Sequence, residues 1–298
     1  MEWKIGRKFE KMKKLQLTEG KLAYLLLIPT FVVLGVLALI PLMMTFGMSF
    51  FDVRYLIWGD FAGFSNYLKV FSDPRFVPAL THTLIFVGGS LAMEIPFGLA
   101  IALALNKAFK GRGLTRAAIL IPWAMPTAVI AQMFLYMYNQ EFGVFNAILG
   151  ADIGWLSNPG IALFSCILLD VWKTTPFVAL LLLAGLQVIP GELYEAAKVD
   201  GAGAWRRFHS ITLPLLIPAF LVVLVFRALD AFKVYDSVYI LTGGGPGIST
   251  EVLSTFAYSE YINSSDFGTG SAISVITFLC VFILALFCVR GMTRQVNY

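Results

Sequence analysis

The sequence predicts an all-α integral membrane protein with six transmembrane helices, and three observations carry that prediction. Of 298 residues, 58% are hydrophobic and 13% are charged, whereas a soluble domain is about 45–50% apolar and about 25% charged. The apolar residues gather in six runs, each near or above the roughly 20 residues that cross a bilayer. The basic residues concentrate in alternate connecting segments, as the positive-inside rule requires. This composition excludes a soluble enzyme, a disordered chain and a nucleic-acid-binding module.

The first run, Leu22 to Phe51, follows a basic segment over residues 1–21 that carries Lys4, Arg7, Lys8, Lys11, Lys13, Lys14 and Lys21. It is too long for the apolar core of a cleaved signal peptide, so it reads as a retained span. The second to sixth runs are Thr83–Leu105, Ile119–Tyr138, Ile161–Ile189, Leu213–Leu229 and Ser271–Val289. With the N-terminus in the cytoplasm, inner segments hold 16 basic residues and outer segments three, Arg54, Lys69 and Arg75. Both termini are therefore expected in the cytoplasm, and residues 22–298 form a single transmembrane domain. The outer segments carry turn chemistry such as Gly243-Gly244-Gly245-Pro246-Gly247. Cys166, Cys280 and Cys288 lie in apolar stretches, and His82 and His209 are far apart. Neither a disulfide framework nor a metal site is expected.

The polar stretch from Pro190 to Pro214, between the fourth and fifth runs, is the most informative. Pro190 suits a helix start, Glu192 to Val199 reads as a helix, and Gly201 and Gly203 bend the chain. Trp205 to Ile211 resumes a helix before Pro214 admits the next span. Two short helices around a glycine bend make a knob, with Tyr194 and Trp205 as apolar anchors for a partner groove. On composition alone, an interfacial linker with Arg206 and Arg207 against lipid phosphates is the equal alternative.

The spacing decides between them. Glu195-Ala196-Ala197, Gly201, Ile211 and Leu213-Pro214 resemble the EAA motif of permease subunits in bacterial and archaeal ATP-binding-cassette importers. Ile121-Pro122-Trp123-Ala124-Met125-Pro126 and Asp230 to Pro246 are similar to further segments of the family, the latter to the maltose-system F-type subunit. Val171 to Phe177 and Gly270 to Val275 look like trehalose and maltose importers. The resemblance implies the type I importer permease fold, with a cytoplasmic coupling helix in the loop 190–212. It implies that Glu195, Ala196, Ala197 and Gly201 dock on an ATPase. It also implies a second, G-type permease subunit, two ATPase subunits, an extracytoplasmic sugar-binding protein, and residence in a bacterial or archaeal cytoplasmic membrane. No GxxxxGK[ST] segment occurs in the chain. Accordingly no ATPase site and no cofactor are expected here; ATP and Mg²⁺ belong to the partner ATPase.

A charge at a helix centre costs about 2.5–3.5 kcal/mol on insertion scales, so such groups face protein or water. Asp170, Lys173, Thr174 and Phe177 share one helical face of the fourth run. Trp123 and Thr127 lie four residues apart in the third, Arg227, Asp230 and Lys233 end the fifth, and Glu94 sits beside Pro96 in the second. The resemblance implies a mid-membrane sugar path over Trp123, Thr127, Asp170, Lys173, Thr174, Phe177 and Arg227. Glu94 reads as a packing or gate residue. This set is more charged than the maltose-type pattern, and ion pairs of Asp170 with Lys173 and of Arg227 with Asp230 are the competing reading. The expected substrate is a di- or oligosaccharide, trehalose or maltose first, with glycerol phosphate and polyols as alternatives. Lipid is the remaining partner. The alternative function is an integral membrane enzyme acting on a lipid-linked sugar, for which Glu94, Asp170 and Asp230 would have to converge. An independent secondary transporter would show repeated halves, and no convincing repeat is seen.

Overall fold

The computed structural model describes residues 19–296. The expected basic segment up to Lys14 and both chain termini lie outside the described residues. Among the described residues, five helices are long and apolar enough to cross a membrane. They are the first span Ala23–Met48, the second Phe76–Asn106, the fourth Ala162–Val188, the fifth Ala204–Phe232 and the sixth Phe267–Phe287. A bent pair, Arg112–Ala124 and Thr127–Met137, makes the third.

That bend corrects the expectation of a continuous third helix over Ile119–Tyr138. The two halves meet at 86°. A proline ring disfavours the helical region for the residue before it, and Met125, ahead of Pro126, has ψ 146°. Pro126 itself continues extended, at ψ 134°, before the second half begins at Thr127. Trp123 and Thr127 therefore lie on either side of a corner.

The fifth span differs in the opposite sense. The expected second short helix of the loop and the span are one helix, Ala204–Arg207 running through a π turn, Phe208–Thr212, into Leu213–Phe232. In the wider turn the Leu213 N–H reaches the Phe208 carbonyl. Pro214, which has no N–H to donate, is thereby absorbed instead of starting a new helix.

Short helices join the spans: α1 Ser65–Ser72, α2 Val144–Leu149, α3 Gly191–Val199, α4 Asp236–Thr242 and α5 Leu253–Ile262. The segment after the first span also folds as an antiparallel hairpin, β1 Phe51–Arg54 and β2 Ile57–Phe61, with Val53 opposite Trp58. Tyr55 and Leu56 turn it at φ 52° and 62°, the pair of positive φ values that a two-residue hairpin turn needs. The Asn66 side-chain amide on α1 donates to the Ser49 and Phe51 carbonyls at 3.0 and 2.8 Å, fixing the hairpin to the bundle. Beyond α1, Arg75 pairs with Asp73 and with Glu260 on α5, over the Phe256 ring.

The fourth span is the axis of the bundle, being the most buried of the five. Small residues let its neighbours approach, since membrane helices associate by close packing rather than by exclusion of water. At Gly98 of the second span an added Cβ would stand 2.4 Å from Val178 Cγ1 and 3.2 Å from the Ala179 backbone nitrogen. At Gly185 of the fourth it would stand 2.4 Å from Ala219 Cβ on the fifth. The first span, in contrast, has no buried residue over its most apolar window. It meets the sixth through an edge-to-face contact of Phe46 with Phe278 at 5.8 Å.

Gly98→Leu is expected to lower thermal stability in detergent by about 1–3 kcal/mol, the usual cost of overpacking. Val178→Ala in the same chain should restore part of the loss. Equal melting of Gly98→Leu and the parent would show that the second and fourth spans are not in this contact.

Candidate functional site

The sequence motif at the loop has a definite local structure. α3 ends with Gly201 at φ 76°, a left-handed conformation that costs other L-residues roughly 1–2 kcal/mol. The Ala202 N–H returns to the Ala197 carbonyl at 2.8 Å and the Gly201 N–H to the Lys198 carbonyl at 3.0 Å. This pair of bonds is a Schellman closure of the helix end. Arg207 donates to the Ala202 carbonyl at 2.8 Å, locking the bend against the start of the fifth span. The spacing from the Glu195-Ala196-Ala197 triplet to Gly201 is thus the spacing of a helix from its own cap.

Glu195 is exposed and pairs with Lys198 at 2.7 Å. The Lys198 ammonium holds its carboxyl below the usual carboxylate range. Tyr194 is turned toward the bundle, its hydroxyl 3.0 Å from Thr212 Oγ1. It therefore serves as a brace, not as the outward anchor expected. Leu193, Val199 and Trp205 are the exposed apolar side chains, Val199 at 89% and Trp205 at 76%.

The second constellation lies between the second, fourth and fifth spans. Arg227, 1% exposed, grips Glu94 in a bidentate pair, Nε to Oε2 and Nη2 to Oε1, both at 2.7 Å. Nη2 also donates to Asp170 at 2.9 Å and Nη1 to Asp230 at 2.6 Å. Thr174 donates to Glu94 Oε1 at 2.6 Å. Lys233 lies 3.6 Å from the other Asp230 oxygen. In front of this knot is a polar cavity of about 200 Å³ lined by Thr127, Asp170, Lys173, Thr174, Asp230, Lys233, Val234, Asp236 and Ser237. Two lysines and three aspartates thus border it. Among the described residues no group of histidine, cysteine and carboxylate side chains with metal-binding geometry is found.

Residues 94–297 match the family model described as binding-protein-dependent transport system inner membrane component. The chain belongs to this family. It is 47% identical over 273 residues to the trehalose/maltose transport system permease protein MalF of Thermococcus litoralis, covering 90% of this chain and 92% of that one. It is 39% identical over 289 residues to the sulfoquinovosyl glycerol transport system permease protein SmoG of Agrobacterium fabrum, covering 93% and 92%. A chain of a bacterial alginate ABC transporter, solved with an alginate pentasaccharide-bound periplasmic protein, superposes with a TM-score of 0.79 at 25% identity, over 92% of this chain and 94% of that one.

A transport permease is therefore the right class, and the lipid-linked-sugar enzyme is set aside. Its three carboxylates do converge, but on Arg227. The permease brings four of the seven sequence-derived path residues, Thr127, Asp170, Lys173 and Thr174, to one cavity. Trp123 and Phe177 lie beside each other as a stacked pair, 5.2 Å apart at 15°. Arg227 stands behind the wall, occupied by carboxylates. Asp170 takes Arg227 as its partner, not Lys173, whereas the pair of Arg227 with Asp230 forms as weighed. Lys233, Asp236 and Ser237 on the cavity wall were not among the path residues. Their signal was present in the run DAFKVYDS, in which polar residues recur at the end of an apolar span.

Arg227→Met leaves Glu94 buried without its counter-charge, and breaking such a pair costs about 3–5 kcal/mol. The variant is expected to melt well below the parent in detergent, and adding Glu94→Leu should recover part of the loss. An unchanged melting temperature in Arg227→Met would remove the knot from the account of stability.

Proposed function

We propose that this permease forms half of the translocation path for a neutral disaccharide, with trehalose or maltose as the preferred substrate. The observation that carries the reading is the polar cavity bounded by Thr127, Asp170, Lys173 and Thr174. Hydroxyl groups find acceptors in the carboxylates and donors in the ammonium and hydroxyl groups. The cavity offers no excess of positive charge for an anionic sugar, because its lysines are matched by carboxylates. The identity to a relative named for trehalose and maltose points the same way.

In this reading the N- and C-termini and the loop 190–212 are cytoplasmic, and the wide segments around α4 and α5 face outward. The basic residues of the loop support that orientation. Glu195, Ala196, Ala197 and Gly201 form the docking knob for one of two ATPase subunits, which bind ATP and Mg²⁺. Exposed Val199, Trp205 and Leu193 are the apolar contacts such a groove would cover. A second permease completes the path, and a sugar-binding protein delivers substrate outside. ATPase closure would displace the knob and, through the fifth span, the cavity wall, giving alternating access.

The test is reconstitution of the complete importer in proteoliposomes with labelled trehalose and maltose. Uptake is expected only with ATP. Gly201→Val, which strains the cap, should reduce uptake at least tenfold and weaken retention of the ATPase subunits. Full ATP-driven uptake by Gly201→Val would show that this knob does not couple.

A further inference from the structure

A second cavity adjoins the first. It measures about 310 Å³ and is bordered by Tyr235, Tyr258, Tyr261, Ser254, Ser274 and Thr277, together with Lys233, which also borders the polar cavity. It lies where the end of the fifth span, α5 and the first turns of the sixth span meet. Tyr235 and Tyr239 stack at 5.2 Å and 15°, and Tyr258 packs on both at 5.1 and 5.0 Å. The Tyr261 hydroxyl lies 3.2 Å from both Ser271 Oγ and Ser274 Oγ. Thr277 spends its proton on the Ile273 carbonyl at 2.9 Å, leaving its oxygen as an acceptor.

Tyrosines near the end of a membrane span commonly serve as interfacial anchors, with rings in the headgroup layer. Here the rings border an open groove that also presents the hydroxyl side chains of Ser254, Ser274 and Thr277 and the Lys233 ammonium group. The Tyr261 hydroxyl is turned inward onto Ser271, which is fully buried. A surface that combines aromatic faces with short hydroxyl side chains and one cation matches a pyranose, whose C–H face stacks and whose rim hydrogen-bonds. Ser254 and Ser274, like Thr277, donate to backbone carbonyls, of Val234 and Gly270, so each offers its oxygen as an acceptor for a sugar hydroxyl.

We propose that this tyrosine-lined cavity is an outer pyranose subsite, continuous with the polar cavity across Lys233, so that the two rings of a disaccharide occupy adjoining subsites. The proposal rests on the sugar reading of the polar cavity and names the second half of that site. Lys233, held toward Asp230, is the shared donor between the rings.

The complete importer in proteoliposomes, with its binding protein, supplies the test. Uptake of trehalose or maltose by the unaltered complex reports on the sugar reading itself, and its absence overturns that reading and the subsite together. Given uptake, Tyr258→Ala should raise the half-saturating sugar concentration about tenfold, and Tyr258→Phe, which keeps the ring, should stay within about threefold of the parent. A second measurement does not depend on Tyr258. Ser274→Cys, in a chain with Cys166, Cys280 and Cys288 replaced by serine, is labelled with a small thiol reagent with and without saturating trehalose. Protection of that thiol by the sugar, with none at a distant Ile57→Cys control on the exposed hairpin, is the expected result. Unaltered half-saturation in Tyr258→Ala, or labelling of Ser274→Cys that the sugar does not slow, would overturn the subsite while leaving sugar transport intact.

Discussion

Arg227 and Glu94, locked face to face at 2.7 Å in the middle of the bundle, are the constraint around which the rest is organised. Neither group can lie against lipid without a large penalty, and neither can be separated from the other without leaving a bare charge. The bidentate geometry fixes orientation as well as distance. Because Glu94 belongs to the second span and Arg227 to the fifth, and both touch the fourth through Thr174 and Asp170, three helices are registered by one side chain. Apolar packing alone specifies such register weakly, since one helix face of leucines slides over another at small cost. The close approach of Gly98 to Val178 and of Gly185 to Ala219 brings the helices near enough for the charges to meet.

The fifth helix transmits that registration to the loop. It runs without interruption from Ala204 to Phe232, about 43 Å at 1.5 Å per residue. The Arg207 contact that closes the glycine bend and the Arg227 contact that closes the knot are therefore borne by one rod. A force applied to α3 reaches the cavity wall without passing through a flexible joint, because the Schellman closure at Gly201 and the Tyr194–Thr212 bond remove slack where the loop enters the rod. The third span is built the other way. Its 86° corner at Met125-Pro126 puts a hinge of extended backbone beside Trp123 and Thr127, at the border of the same cavity. One wall of the cavity is thus a rigid lever and another is a corner.

What the sequence disclosed follows from the range of each interaction. Span number, the loop and its capping glycine were legible because apolar length, charge asymmetry and the Glu195-Ala196-Ala197 to Gly201 spacing are local along the chain. The fourth-span face bearing Asp170, Lys173 and Thr174 was legible from helical periodicity. The partner of Arg227 was not, because Glu94 lies 133 residues away and one-dimensional spacing favours the neighbour at i+3. The kink was missed although Pro126 was in view: an apolar run reads as one helix unless the restriction on the residue before proline is given more weight than hydropathy. The merged fifth helix was missed for the converse reason, Pro214 being read as a start when a π turn allows the helix to continue through it. The hairpin after the first span carries no Asn-Gly or Asp-Gly signal, since its turn is made by Tyr55 and Leu56.

The knot also explains how charged groups can serve a neutral ligand. A carboxylate has about four acceptor positions. Asp170 spends one oxygen on Arg227, and Asp230 places one on Arg227 and directs the other toward Lys233. Both carboxylates border the cavity with capacity left over, and both are held in place by a cation that stands behind the wall. Arg227 shares its one charge among Glu94, Asp170 and Asp230, and Lys173 and Lys233 on the cavity border offset the remainder, so the orientation of the aspartates is set before a ligand arrives. Preorganised acceptors of this kind bind hydroxyl groups without first losing side-chain freedom. Free aspartates in the same positions would instead favour a cation. Pairing with Arg227, and of Asp230 also with Lys233, thus holds two acidic side chains as fixed hydrogen-bond acceptors, and in that form they suit the proposed sugar.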